Sequence, residues 1–222
     1  MDGNRRWAKN NKMENVLKGH EQGKEKFMEV CDWCIKRQIP YLSVYAFSTE
    51  NWNRSEYEIN GLFTIMENFF YQNIQQCIDK RIRIIVLGDR TRLREKDRNI
   101  ICRAEEKTKD CDKLCVQICI SYGGRNEITR AVKKTVDAVQ NGTLNKDDIT
   151  ESTIMNYLDT AGVPMIDMVI RTGGNHRLSN FLIWQTAYAE IYFTDVLWPE
   201  FSEKEFDKFL ENFRAININM GK

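Results

Sequence analysis

The sequence predicts a single-domain α/β fold in which a central, mostly parallel sheet is covered by helices on both faces. Short β-branched or apolar runs alternate along the chain with longer segments whose apolar residues recur at helical spacing. Such alternation is typical of a parallel sheet, because a crossover helix must connect successive parallel strands. The chain has 222 residues, and we find no linker, repeat or low-complexity segment. We therefore expect residues 1–222 to form one domain.

The elements follow from this periodicity in chain order. The predicted strands cover 41–47, 82–87, 114–120, 168–170 and 191–196. The predicted helices cover 27–35, 59–78, 93–104, 128–139, 178–189 and 206–213. Ile65 and Phe69 widen the apolar stripe of the second helix, so this helix is expected to have two apolar surroundings. Segment 178–189 is apolar on nearly every side, which predicts a buried helix.

Four unusual loops follow predicted strands, namely 46–54, 88–89, 121–125 and 171–177. Ligands of open α/β sheets bind beyond the carboxyl ends of the strands, so these loops should meet along one edge. The loops combine glycine, which lets the backbone approach a ligand closely, with arginine, whose planar fork binds phosphate oxygens. The alternative, that each arginine forms a surface salt bridge, explains a single arginine better than a set gathered at one edge.

The N-terminal segment adds a carboxylate, Asp2, to a similar set of glycine and arginine. One carboxylate beside several arginines suits a Mg²⁺–diphosphate complex, in which the acid engages the metal and the arginines hold oxygens. The residues alone thus indicate a phosphorylated small molecule with Mg²⁺. The apolar helix at 59–78 hints at a hydrophobic ligand, although core packing, taken alone, explains this helix better.

Composition narrows the class of protein. The formal net charge of +1 argues against a general nucleic-acid binder, and we expect no nucleic-acid partner. We expect no secretion signal and no membrane span, hence a cytoplasmic protein.

The seven cysteines suggest reduced thiols. Cys31 and Cys34 form a C-x-x-C match within an apolar helix face, which favours core packing over redox chemistry.

Several ordered motifs resemble those of the cis-prenyltransferase family, most closely its bacterial undecaprenyl diphosphate synthases. They are Met-Asp-Gly-Asn-Arg-Arg-Trp-Ala at 1–8, Gly-His at 19–20, Tyr-Ala-Phe-Ser-Thr-Glu-Asn-Trp-Asn-Arg at 45–54, Gly-Asp at 88–89, Tyr-Gly-Gly-Arg at 122–125, Asp167 with Arg-Thr-Gly-Gly at 171–174, and 189–201. The likeness spans nearly the whole chain. It implies a transferase that condenses isopentenyl diphosphate onto an allylic diphosphate, with farnesyl diphosphate as starter, Mg²⁺ as cofactor and a homodimeric assembly.

The same resemblance implies roles by position. Asp2 and Asn51 would be catalytic, and Asp2 and Glu190 would engage the metal, Glu190 from across the dimer interface. The residues implied to bind the two substrates are Gly3, Asn4, Arg5, Arg6, Trp7, His20, Ser48, Thr49, Glu50, Trp52, Arg54, Arg171, Arg177 and Ser179. The helix at 59–78 would line a hydrophobic tunnel for the growing chain. A lipid-soluble product would give loose, peripheral membrane association. The paired aspartates of trans-prenyltransferases are not matched, since Asp147-Asp148 indicates a loop before a helix.

The sequence departs from the family pattern at four places. Relatives usually carry a short apolar strand before the first motif, so the first strand of the family is expected to be missing before residue 1. Val16 and Asn175 stand where arginine and glutamate are frequent, and Asn219-Met220-Gly221 replaces an Arg-x-Gly tail. The missing first strand and the altered tail leave one alternative, a non-catalytic or weakly active subunit of a prenyltransferase complex. A second alternative, from another class, is a generic phosphate-binding or phosphatase module.

Overall fold

The computed structural model describes residues 1–216 and has helices and strands in alternation, as predicted. The helices are α1 Asn4–Asn10, α2 Leu17–Lys36, α3 Glu56–Asp79, α4 Glu95–Thr108, α5 Gly124–Gln140, α6 Glu151–Tyr157 and α7 Glu203–Ala215. The strands are β1 Tyr41–Ser48, β2 Ile82–Leu87, β3 Leu114–Tyr122, β4 Met168–Arg171 and β5 Glu190–Phe193.

The strands pair in parallel in two separate groups. β3 lies between β1 and β2, with Val44 opposite Ile118 and Ile84 opposite Val116. β4 and β5 form a second, two-stranded sheet. The predicted α/β class with a mostly parallel sheet is confirmed, but the strands do not form one continuous hydrogen-bonded sheet among the described residues.

β3 is the buried centre of the fold. Nearly all of its side chains are buried, which explains why its sequence is a near-continuous apolar run without alternation. Val116 and Ile118 belong to the large core that also contains residues of α2 and α3. Cys119 and Tyr122 belong to a smaller cluster with Leu182. Helices therefore cover one face of this sheet, and the 178–189 segment contributes to the other.

The predicted helix at 178–189 is wrong, because this segment consists of turns and bends. Ser179, Asn180 and Leu182 have positive φ values of 52°, 66° and 42°, which a right-handed helix does not allow. The segment is also less buried than expected, since Tyr188 is 78% exposed. The apolar pattern does not predict the two short helices α1 and α6, because each has only seven residues.

Cys31 and Cys34 are each 1% exposed within α2, which confirms their interpretation as core residues. Burial raises the pKa of the Cys34 thiol to about 12, so this thiol is protonated at neutral pH.

Asp147 and Asp148 lie in an exposed single helical turn before α6, as predicted. Within residues 1–216, no helix combines the length and apolarity needed to cross a bilayer. The departure from the family tail at residues 219–221 lies outside the described residues.

Candidate active site

The N-terminal motif is fixed by backbone contacts to two distant segments. The Asp2 amide donates to Thr172 Oγ1 at 3.0 Å, and Thr172 Oγ1 donates to the Asp2 carbonyl, also at 3.0 Å. The Trp198 amide donates to the same carbonyl at 2.9 Å. Gly3 has φ 107°, and a Cβ there would lie 2.8 Å from Leu197 Cδ2. Asp2 is therefore held beside the carboxyl end of β4, where only glycine fits the next position.

The Asp2 carboxylate receives three polar partners. Arg171 Nη2 and Asn175 Nδ2 donate to Oδ2 at 3.0 Å each. Arg6 Nη2 lies 3.6 Å from Oδ1. Burial raises the pKa of Asp2, but the hydrogen bonds from Arg171 and Asn175 outweigh burial and hold the pKa below 3.8. Asp2 is therefore ionised at neutral pH, as a carboxylate that engages a metal must be.

The glycine loop after β4 brings a second arginine into the cluster. Arg6 Nη2 donates to the Gly173 carbonyl at 2.5 Å. Gly173 has φ 85°, and a Cβ there would lie 2.6 Å from Arg6 Nη2. Arg171 Nη1 donates to Ser179 Oγ at 2.8 Å and to the Arg177 carbonyl. Two guanidinium groups thus face one carboxylate, a geometry suited to phosphate oxygens.

A second polar cluster surrounds His20 on α2. Arg54 donates to Glu58 Oε1 at 2.7 Å, and Arg5 lies 3.7 Å from the other oxygen of Glu58. Burial, assisted by the positive charge of Arg54, lowers the pKa of His20 from 6.5 to about 4. His20 Nε2 is buried and finds no hydrogen-bond partner in the described part of the chain. The sequence motifs do not predict a role for Glu58. Its i,i+4 spacing from Arg54 is nevertheless typical of an ion pair on one helix face.

The loop after β1 is a short helical turn at Thr49–Asn53. Asn51 Oδ1 accepts from the Ser48 amide at 3.1 Å, and the Ser48 side chain accepts from the Asn51 backbone, which together cap the turn. Trp52 packs on Phe63 with ring centroids 5.4 Å apart and donates to Ser121 Oγ at 3.0 Å. This loop is therefore ordered by its own cap and by contacts to the sheet.

These loops open onto one large cavity of about 1100 Å³. Its polar wall includes Asp2, Asn4, His20, Ser48, Glu50, Asn51, Arg54, Arg171, Arg177 and Ser179. Its apolar wall includes Phe27, Val30, Leu62, Phe63, Met66, Phe69, Phe70 and Ile170. The cavity is also lined by residues of both β1 and β4, so it occupies the space between the two sheets. Charged groups at one wall and hydrocarbon at the other suit an amphiphilic ligand.

Most residues predicted for the site thus line one cavity, but not all of them. Gly3, Arg5, Thr49 and Trp52 are each next in sequence to a residue that lines the cavity, and Arg6 contacts Asp2. Trp7 lies on α1 outside the cavity lining. Glu190 is separated from the Asp2 cluster. It begins β5 opposite Met168, three residues from the Phe193–Arg171 pair, which is roughly 10 Å along the strand. Within one chain, Glu190 and Asp2 do not meet.

The donor set fits Mg²⁺ only as part of a metal–diphosphate complex. Among residues 1–216, no group of three or more His, Cys, Asp or Glu side chains could hold a metal by itself. Asp2 supplies one carboxylate beside Arg6 and Arg171. Mg²⁺ in phosphate-binding sites is held by one or two carboxylates together with substrate oxygens. The site therefore has the chemistry for a shared ion, with most ligands from the substrate and water.

Known proteins similar to this chain were found by sequence and by structure. The family described as "Putative undecaprenyl diphosphate synthase" matches residues 1–221. An isoprenyl transferase of Aquifex aeolicus is 41% identical, covering 100% of this chain and 93% of the relative. A ditrans,polycis-undecaprenyl-diphosphate synthase of Acinetobacter baylyi, specific by name for (2E,6E)-farnesyl diphosphate, is 39% identical and covers 100% and 89%. A crystal structure of lavandulyl diphosphate synthase from Lavandula x intermedia, in complex with dimethylallyl diphosphate, superposes with a TM-score of 0.95 at 32% identity, covering 100% and 95%.

Proposed function

The chain belongs to the undecaprenyl diphosphate synthase family of prenyltransferases, and on that premise we propose that it condenses isopentenyl diphosphate onto an allylic diphosphate. The starter is farnesyl diphosphate, and the product is a polyprenyl diphosphate. The observation that supports this best is the position of the Asp2–Arg171 pair at the polar wall of a cavity that also has an apolar wall. A diphosphate with a long hydrocarbon tail needs a polar surface for its charged end and an apolar surface for its tail.

The allylic diphosphate would bind at the N-terminal motif. Arg5 and Arg6 supply guanidinium groups, and the unpartnered His20 Nε2 and Asn4 Oδ1 are buried polar atoms of residues that line the cavity within the described part of the chain. Gly3 lets the backbone of the N-terminal motif approach the diphosphate closely, since its positive φ and the nearby Leu197 exclude a side chain at this position. The hydrocarbon tail would extend into the apolar part of the cavity, along α2 and α3.

The isopentenyl diphosphate would bind at the loop after β4. Arg171, Arg177 and Ser179 all line the cavity there, and Arg171 already contacts the Ser179 hydroxyl. Arg171 also donates to Asp2, so the two subsites share one guanidinium. Two substrates held this way react at a high effective concentration instead of by chance encounter.

The reaction breaks the allylic C–O bond, and the electron pair leaves with the diphosphate. The C3–C4 double bond of isopentenyl diphosphate attacks the allylic carbon, and one proton leaves its C2 as the new double bond forms. Arg6, Arg171 and the other donors stabilise the charge that develops on the leaving group. The leaving diphosphate and the groups around Asn51 are the two candidate proton acceptors. When bound, Mg²⁺ supplies further neutralisation of the diphosphate charge.

A homodimer accounts for Glu190, which lies far from Asp2 within one chain. Tyr188 and Ile191 flank this residue and are 78% and 38% exposed. Large apolar side chains exposed together at a sheet edge are typical of a subunit interface. Glu190 would then act on the metal of the partner subunit's site. Peripheral membrane association would follow from the lipid-soluble product.

Two other functions are less well supported. A non-catalytic subunit would be expected to lose the Asp-Gly-Asn and Arg-Thr-Gly-Gly residues, but this chain keeps both motifs and brings them together. A generic phosphatase module would not need the apolar wall of a cavity of about 1100 Å³. The catalytic function is therefore the one that uses all of the observed features.

The purified protein should incorporate labelled isopentenyl diphosphate when incubated with farnesyl diphosphate and Mg²⁺. Products are resolved by chain length after removal of the diphosphate. Omission of Mg²⁺ and replacement of the starter by a non-allylic diphosphate serve as controls. A folded protein that incorporates no label with any allylic starter would refute the proposed activity.

A further inference from the structure

Asn180 joins three loops of the site and lines the cavity, although the sequence motifs give it no role. Its side-chain Nδ2 donates to Glu50 Oε1 at 3.0 Å, in the loop after β1. Its Oδ1 accepts from the Arg125 amide at 2.8 Å, and its carbonyl accepts from the Gly124 amide at 2.7 Å. One residue therefore ties the 178–182 segment both to the loop after β1 and to the start of α5.

The backbone around Asn180 has an unusual conformation. Ser179 and Asn180 have φ values of 52° and 66°, in the left-handed region. Asparagine adopts this region more readily than most residues, but serine does so at a cost of roughly 1–2 kcal/mol. Such a conformation persists only where surrounding contacts fix it. The three hydrogen bonds of Asn180 provide that fixation.

The consequence concerns Ser179, the neighbouring residue. Ser179 is exposed, and Arg171 Nη1 donates to its hydroxyl at 2.8 Å. Packing alone does not hold an exposed serine in place, so the position of its hydroxyl depends on the backbone of the turn. The residue before α5, Gly123, lies close both to the loop after β1 and to Asn180. A Cβ at Gly123 would lie 2.5 Å from Thr49 Oγ1 and 2.7 Å from Asn180 Nδ2.

We propose that Asn180 is a positioning residue that fixes the left-handed turn at Ser179 and links the isopentenyl diphosphate subsite to the loop after β1 through Glu50. This inference rests on the proposed function for the identity of the ligand. Asn180 acts on the substrate through Ser179 and Arg171. The link to Glu50 means that the geometry of this subsite depends on where the loop at Thr49–Asn53 lies.

The electrostatics of Glu50 make the link testable. Burial raises the pKa of Glu50, but hydrogen bonds, from its own backbone amide and from the Asn180 side chain among others, outweigh burial and lower the pKa. Glu50 is therefore an ionised acceptor, which matches the donor Nδ2 of Asn180. Replacing that donor by a carboxylate oxygen would place two like charges in contact.

The decisive variant is Asn180→Asp, which keeps the size, the tolerance of positive φ and the acceptor for the Arg125 amide. At neutral pH the KM for isopentenyl diphosphate should rise about tenfold because of repulsion from Glu50. The KM for the allylic starter should change much less. The KM for isopentenyl diphosphate should fall again as the pH is lowered, because the two carboxylates then share a proton. A residue that only stabilised the fold would not give this pH dependence.

Glu50→Gln provides the rescue. In the double variant, the new amide at position 50 can donate to the new carboxylate at position 180. The KM for isopentenyl diphosphate should therefore return to near that of Glu50→Gln alone. Asn141→Asp, an identical change at an exposed position after α5, should leave both KM values unchanged. Thermal unfolding of every variant checks that all are folded at the assay temperature.

Direct titration of isopentenyl diphosphate by calorimetry separates this inference from the proposed function. If wild type binds the ligand but does not turn over, Asn180→Asp should still weaken binding about tenfold. An unchanged affinity in Asn180→Asp, or no rescue by Glu50→Gln, overturns the role of Asn180 while the proposed function stands. A folded wild-type protein that does not bind isopentenyl diphosphate overturns both.

Discussion

Arg171 donates to the Asp2 carboxylate at 3.0 Å across 169 positions of sequence. This contact joins the N-terminal motif to the loop after β4, and it is supported from both sides. Thr172 binds the Asp2 backbone, and Arg6 binds the Gly173 carbonyl. The carboxylate and the two guanidinium groups therefore form one unit at the polar wall of the cavity.

Asp2→Ala should abolish turnover while the protein stays folded. The change removes the single carboxylate of this unit and with it the expected metal contact, so kcat should fall by at least about 100-fold. Steady-state incorporation of isopentenyl diphosphate measures the effect, and circular dichroism checks the fold. Asp147→Asn, in an exposed turn away from the cavity, is the matched control and should behave as wild type. Activity retained in Asp2→Ala would remove the proposed metal role.

Gly173→Ala tests the close approach of the glycine loop to Arg6. The new Cβ would lie 2.6 Å from Arg6 Nη2, and the new residue would also have to adopt φ 85°. Gly142→Ala separates these two effects, because Gly142 has φ 71° but nothing within 4 Å of the added Cβ. The positive φ should cost both variants about 1 kcal/mol of stability in chemical denaturation. Gly173→Ala should lose more than Gly142→Ala, because its Cβ also meets Arg6 and the Asp2 backbone. Only Gly173→Ala should raise the KM for farnesyl diphosphate, because the added Cβ displaces Arg6 of the allylic subsite. Equal kinetics in the two variants would contradict the assignment of Arg6 to that subsite.

His20 should make stability fall in mild acid. Its pKa is about 4 in the folded protein against an ordinary value of 6.5. Between these pH values the unfolded chain binds a proton that the folded chain does not, so the free energy of unfolding decreases as the pH falls through this window. The loss at pH 4 should be at most about 3 kcal/mol. Urea unfolding from pH 7 to pH 4 measures it.

The matched pair for this measurement is His20→Gln and His176→Gln, since these are the two histidines of the chain. His20→Gln should flatten the pH dependence of stability between pH 6.5 and about pH 4. His176→Gln changes an exposed side chain and should retain the slope of the wild type. An identical slope in wild type and His20→Gln would show that another group causes the acid sensitivity.

Phe70→Ala should shift the product distribution towards longer chains. Phe70 lies on α3, is 4% exposed and lines the apolar wall of the cavity. Its removal enlarges the space for the hydrocarbon, at a cost of about 3–5 kcal/mol in stability. Phe209→Ala removes a partly buried ring of α7 that packs on Tyr192 and Phe201. This control should lose stability without changing product length, which chromatography of labelled products measures.

The periodicity of apolar residues located most of the fold. The strands at 41–48, 82–87 and 114–122 and the helices α3, α5 and α7 lie where the pattern predicts them, whereas α2 begins at Leu17, ten residues before the predicted start at Phe27. Burial of one face imposes this periodicity on the sequence, so it can be read without the structure. The 178–189 segment shows the limit of this signal. Its apolar composition resembles a buried helix, but composition carries no information about the positive φ of Ser179, Asn180 and Leu182.

The sequence by itself determined the reaction class, because long ordered motifs specify chemistry residue by residue. The tertiary structure alone decided which of those residues meet. It placed Asp2 beside Arg171 and Arg6, placed Glu190 at the opposite end of the β4–β5 pair, and revealed Glu58 and Asn180 as partners of the motif residues. Most of these contacts join positions far apart in the chain. Their distances depend on how strands pair and how loops turn, and local sequence patterns do not encode either.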